Sequence, residues 1–320
     1  MSTFLFILNN NLIPVVILIT MGFLLGRRFK LDMTPLIKLN FFIFVPAYIF
    51  VNLYTAEIPS DMWKVVLFGI LMITVNFCAG SVISRIRRFD STMKSAFTNS
   101  VMFYNSGNFG LPVVILVFSN PPFVTDGATP YLELAVTAQI IIMVLQNVLT
   151  NSLGLFNAGK ASLHFKELVK NILGIPIIYM LPLALIMRLM PFDIEGTPVW
   201  ISFTYAKNGL IAVALLTLGI QISKTKIIFH NTDVLFSVAM RLLGGPVIAF
   251  ALIRLFGFDG IVAQALMISS SVPTAVNSAL IAIEYKNRPD FASHAVMVST
   301  LLSVFTVSAV IYAARMLFPV

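Results

Sequence analysis

Tyr104–Val113 reads YNSGNFGLPV and interrupts an apolar run that extends from Ser95 to Phe118. In water, two Asn, two Gly and a Pro between Asn105 and Pro112 would read as a turn. Gly and Pro are poor helix formers, and Asn competes for backbone hydrogen bonds. At membrane depth such a stretch is tolerated only where protein or a watery cavity satisfies the freed backbone groups. Gly107 and Gly110 let the chain break and let neighbours approach, and Pro112 suits the start of a helix whose first N–H groups lack partners. The competing reading is a proline kink satisfied by neighbouring helices.

The surroundings of this stretch are those of a membrane protein. Hydrophobic residues make up 58% of the 320-residue chain and charged residues 11%, with a mean hydropathy of +0.95. An average soluble domain is about 25% charged. Apolar runs long enough to cross a hydrocarbon core of about 30 Å recur throughout. They predict about ten helical spans: Leu5–Leu25, Leu36–Tyr54, Trp63–Ser84, Ser95–Phe118, Tyr131–Phe156, Leu168–Met190, Val199–Ile222, Val234–Phe256, Gly260–Tyr285 and Ala292–Phe318. Strand alternation is absent, and the runs are too long for barrel strands of about 9–11 residues. The expected fold is therefore all-α and membrane-embedded.

The net charge of +8 reflects topology rather than a nucleic-acid surface. Fifteen of the 21 basic residues fall on one set of alternate connections: Arg27, Arg28, Lys30, Lys38; Arg85, Arg87, Arg88, Lys94; Lys160, Lys166, Lys170; Lys224, Lys226; Lys286 and Arg288. That asymmetry places those connections in the cytoplasm and both termini outside a cell membrane. The first 26 residues carry no Lys or Arg, which argues against the basic n-region of a secretory leader. Cys78 is the lone cysteine and His164, His230 and His294 fall at or beside loops, so no disulfide framework or metal cluster is expected.

The chain also resembles itself. FDSTMKSA begins at Phe89 and FDGIVAQA at Phe258, 169 positions on. The same offset lays Asn108 on Asn277 and sets NSGN of the fourth span over TAVN of the ninth. Five spans in each half force the second half to enter from the opposite side, which predicts two inverted repeats, residues 1–156 and 157–320. The ninth span offers SSSVPTAVN, Ser269–Asn277, as its own interruption. Broken helices at matching places are a pointer to a transport site.

At these residues the sequence resembles the auxin efflux carrier family, which includes plant auxin carriers and many bacterial permeases. GNFGLP, Gly107–Pro112, is similar to that family's signature, and so are FVPAYIFVNL around Pro46, QNVLTNSLG around Gln146, LLTLGIQIS around Gly219, RLLGGPVIA, and the last two spans. The resemblance implies ten helices in two inverted five-helix repeats. In that fold broken fourth and ninth helices cross at mid-membrane, and a core of helices 3–5 and 8–10 moves against a scaffold of helices 1, 2, 6 and 7. It further implies homodimers formed through the scaffold and organic-anion substrates, auxins or dicarboxylates such as malate and malonate. Asn105, Gly107, Asn108, Gly110, Pro112, Pro273 and Asn277 match the family's crossing motifs.

The residue chemistry also favours an anion. Half-helices starting at the breaks would aim their N-termini, each with roughly half a positive charge, at the centre. Asn105, Ser106 and Asn108 from one repeat and Ser271, Thr274 and Asn277 from the other supply donors and acceptors for the substrate. Arg241, about 15 Å into the eighth span, must face a cavity or a partner. It is either a substrate contact or gate, or a structural group on carbonyls freed at a broken helix. Lys207 can snorkel or pair with Glu133. Asn76 and Gln146, with Gln139, Asn147 and Asn151, line the site or bond between helices. Neither crossing motif holds an acidic residue, so coupling to H⁺, to Na⁺ or to nothing stays open, and no metal or other cofactor is expected. No HExxH, GxSxG or GxxxxGK[ST] pattern occurs, which argues against a membrane enzyme or a nucleotide-driven pump. A carrier leads; a channel and a receptor that binds a small acid without moving it are the alternatives.

Overall fold

A computed structural model describes residues 9, 13–159, 169–170, 172–191, 193–224 and 231–320. Lys160, Lys166, Lys226, His164 and His230, and the starts of the first and sixth predicted spans at Leu5 and Leu168, lie outside the described residues. Among those residues the chain is helical, and its extended pairing is confined to two isolated bridges. Six helices among the described residues are long and apolar enough to cross a membrane: α2 (Thr34–Thr55), α3 (Ser60–Ile86), α5 (Leu132–Gly159), α7 (Pro198–Lys224), α8 (Thr232–Phe256) and α10 (Pro289–Leu317). α1 spans Ile13–Phe29 and α6 Ile177–Leu189.

The fourth and ninth spans are each split. α4a (Ser91–Met102) is separated from α4b (Ser106–Phe118), and α9a (Gly260–Ser271) from α9b (Val276–Glu284). α4a and α9a are both 12 residues long and start 169 positions apart. Each is capped by an aspartate: Asp90 accepts from the Met93 N–H and Asp259 from the Gly260 N–H. The cap extends the fourth span four residues beyond the apolar run. Asp90 also pairs with Arg288 at the start of α10, and its carboxyl is pulled down to about 2 by the Thr92 hydroxyl, the Met93 N–H and that guanidinium.

Wide π turns lie at Asn40–Phe44, Ser106–Gly110, Thr150–Gly154 and Met240–Gly244. Three of them end two residues before a proline, namely Pro46, Pro112 and Pro246. A proline ring collides with the carbonyl four residues back and leaves it without a donor, and the wider turn relieves both problems. The fourth has a different cause. Thr150, Asn151 and Ser152 direct their side chains to the carbonyls of Gln146, Asn147 and Val148, at 2.5, 2.8 and 2.7 Å, competing with the backbone ladder.

α1 and α7 pack backbone to backbone. α1 presents Gly22 and Gly26 to α7, where a Cβ on Gly22 would overlap the Leu216 carbonyl. A Cβ on Gly219 would likewise overlap the Ile19 carbonyl. Small residues let membrane helices pack backbone to backbone.

Candidate functional site at the crossing of two broken helices

The two breaks hold each other. The Asn105 N–H donates to the Pro273 carbonyl at 2.8 Å and the Ala275 N–H to the Phe103 carbonyl at 3.0 Å, forming an antiparallel bridge between Tyr104 and Thr274. Two short extended segments thus satisfy one another where neither helix can. Neighbours take the remaining groups. Gln146 of α5 accepts from the Tyr104 N–H at 3.3 Å, Ser299 of α10 accepts from the Thr274 N–H at 3.1 Å, and Gln139 donates to the Ser106 carbonyl at 2.6 Å.

The chain therefore breaks at 103–105, just before the glycines and not at them. α4b starts at Ser106, so Gly107, Gly110 and Pro112 lie in its first two turns, and Pro112 follows the wide turn instead of opening the helix. Pro273 does lie in the ninth-span break. The two glycines differ in purpose. A Cβ on Gly110 would come 2.8 Å from Gln139 Nε2 and 3.4 Å from the Asn105 carbonyl, whereas one on Gly107 meets only Met143 Sδ at 3.4 Å. Gly110→Ala is expected to dislodge the Gln139–Ser106 bond and cost about 1–3 kcal/mol. Gly107→Ala should be nearly neutral. Thermal unfolding of both variants in detergent checks this, and equal midpoints would refute it.

Beside the bridge lies a cavity of about 80 Å³ lined by Asn40, Asn105, Ser106, Gly107, Asn108, Gln146, Asn147, Thr150 and Asn277 together with apolar groups. It has room for several waters. Among the described residues the lining contains no charged side chain. Asn105, Ser106, Gly107, Asn108, Gln146 and Asn277 come together here as the sequence suggests. Asn40 and Thr150 do not follow from sequence reasoning. Asn40 sits near Lys38 at the start of a span, where an Asn reads as interfacial, yet its Nδ2 reaches Asn108 Oδ1 at 2.7 Å.

The orientation of Asn105 is fixed because its Oδ1 accepts from the Asn108 N–H at 3.2 Å. Its Nδ2 is then a buried donor with no partner among the described residues. α4b and α9b both begin at this cavity, so two helix N-termini face it, each with roughly half a positive charge. The lining residues of α2 and α6, and Gln146, Asn147 and Thr150 of α5, lie in the halves of those helices nearer the basic connections. Toward the opposite ends, Ile49, Phe50 and Leu53 of α2 and Val114, Val117 and Phe118 of α4b are buried in the apolar core.

Other sequence candidates lie apart from this cavity. Ser271 donates to the Ile268 carbonyl at 2.7 Å and Thr274 to the Ser100 carbonyl at 2.9 Å, each serving a carbonyl that a helix end leaves free. Asn76 is spent on the Met72 carbonyl at 2.7 Å within α3. Arg241 is fully buried, with its guanidinium on the carbonyls of Val101 and Ser270. Of the two readings open in the sequence, it takes the one at broken-helix carbonyls. Lys207 lies over the Tyr48 ring, 5.6 Å from its centroid.

Comparison with known proteins finds membrane transport proteins. The model of a family described as membrane transport protein matches residues 6–311. A protein of Methanothermobacter thermautotrophicus (strain Delta H) named as an uncharacterized transporter is 22% identical over 304 residues, covering 92% of this chain and 94% of its own.

Proposed function

Since the chain belongs to the membrane transport protein family, the auxin efflux carrier-like family, it is a transporter, and we propose that it is a secondary carrier of a small organic anion, of the carboxylate class, working by alternating access around the α4–α9 crossing. The observation that carries this reading is the cavity where two helix N-termini meet a ring of amides and, among the described residues, no charged side chain. Two N-termini supply about one positive charge in all, the complement of one carboxylate. Neutral amides orient such a ligand without holding it so tightly that it cannot leave. The cavity lining lies toward the basic connections and the apolar residues toward the other ends, which supports one of the two states that alternating access requires.

The inverted-repeat reading is supported by the matched lengths, aspartate caps and 169-residue offset of α4a and α9a. In it, residues 1–156 and 157–320 form the repeats, and helices 3–5 and 8–10 move against helices 1, 2, 6 and 7. The membrane is the cell membrane, with the basic connections inside and both termini outside. Exposed apolar residues such as Ile17, Leu24 and Tyr205 leave the scaffold a face for lipid or a second copy.

The test is uptake of labelled malate, malonate and indole acetate into proteoliposomes, with and without unlabelled acid inside. Saturable uptake accelerated by internal acid is the carrier's signature. Non-saturating flux would make it a channel, and binding without uptake a receptor.

A further inference from the structure

On the far side of the crossing from the N-termini, two helix C-termini meet, and one side chain serves both. Arg241 Nη1 donates to the carbonyl of Val101 in the last turn of α4a at 2.9 Å, and Nη2 donates to the carbonyl of Ser270 in the last turn of α9a. Its guanidinium carbon lies 4.6 Å from the centroid of the Tyr104 ring, at the bridge itself. Space for the group is built in, because a Cβ on Gly245 would overlap the guanidinium, while Gly244 beside it faces nothing within 4 Å. The last carbonyls of a helix lack partners, and each C-terminus carries roughly half a negative charge. Two converging C-termini therefore present about one negative charge ringed by oxygen, which is the chemistry of an alkali-cation site.

We propose that Arg241 is a tethered cation: it fills the carbonyl site at the crossing that a coupling Na⁺ would otherwise need, so transport by this chain runs without Na⁺. The guanidinium already engages a carbonyl from each half-helix, and a mobile cation beside it would meet like-charge repulsion in a dry site. The crossing keeps its counter-charge throughout the cycle and does not gain and lose it with an ion. Arg241 is thus a positioning residue, holding the ends of α4a and α9a together while the starts of α4b and α9b face the anion. The inference rests on the crossing being the centre of transport.

The experiment compares wild type, Arg241→Lys and Arg241→Ala, replacing NaCl by choline chloride at constant ionic strength. Thermal unfolding in detergent and initial uptake in proteoliposomes are both read. Wild type should be indifferent to the exchange in both. Arg241→Ala should unfold earlier and lose uptake more than about tenfold, with low-millimolar guanidinium or Na⁺ restoring both at least in part. Arg241→Lys, with a single ammonium, should fall between. A wild-type midpoint or uptake that rises with Na⁺ would overturn the proposal, as would a folded Arg241→Ala protein that no cation restores. If Arg241→Ala does not fold, the wild-type arm decides. The unfolding measurement needs no transported substrate, so failure of the carrier reading would show separately as absent uptake.

Discussion

Asn277→Ala is expected to raise the half-saturation concentration for the transported acid by roughly thirtyfold, the equivalent of about 2 kcal/mol for a hydrogen bond to a charged group. Its thermal unfolding should stay at the wild-type temperature. The reason lies in how the Asn277 amide is placed. It lines the cavity at the first turn of α9b and makes no hydrogen bond to the described residues, so its removal costs binding and not folding. Asn108→Ala should show a loss of uptake at least as large, together with a small drop in stability, because Asn40 Nδ2 loses its acceptor. Saturation at the wild-type concentration in both variants would move the binding site away from the crossing.

The largest stability effect is expected at Gly219. A single methyl there would overlap the Ile19 carbonyl of α1, and main chain cannot rotate aside as a side chain can. Gly219→Ala must therefore part α1 and α7 by about an ångström, which forfeits a quarter to a half of each facing contact. The expected cost is about 3 kcal/mol or more, beyond the usual range for overpacking along a flexible interface. Gly22→Ala, facing the Leu216 carbonyl, should behave alike, and Gly244→Ala, with nothing within 4 Å, serves as the silent comparison. Monodispersity and unfolding midpoint in detergent provide the measurement. A Gly219→Ala protein as stable as Gly244→Ala would show that the two helices have slack.

The helices themselves were legible because lipid imposes so simple a rule: a run of about twenty apolar residues is either a span or an error. The breaks were legible for the converse reason, since NSGNFGLP and SSSVPTAVN have no business in a continuous span. What sequence leaves ambiguous is direction. A Ser or Thr beside a break reads identically whether its hydroxyl faces a ligand or a freed carbonyl, and Ser271 and Thr274 face carbonyls. Arg241 carried the same ambiguity for the same reason. Asn40 is not legible as a lining residue because its partner Asn108 lies 68 residues away, and no local pattern records that meeting. The wide turns follow from prolines in three cases, but only after the helices around them are known.

The bridge between Tyr104 and Thr274 also bears on how the protein is made. Its two segments are separated by about 170 residues of chain, and a ribosome adds about 5–20 residues each second, so the second segment emerges roughly 10–30 s after the first. Until then the carbonyl of Phe103 and the N–H of Asn105 lack the main-chain partners they have in the folded protein. A chain cut after its first half would lack those partners altogether. The crossing is therefore complete only when the ninth span arrives.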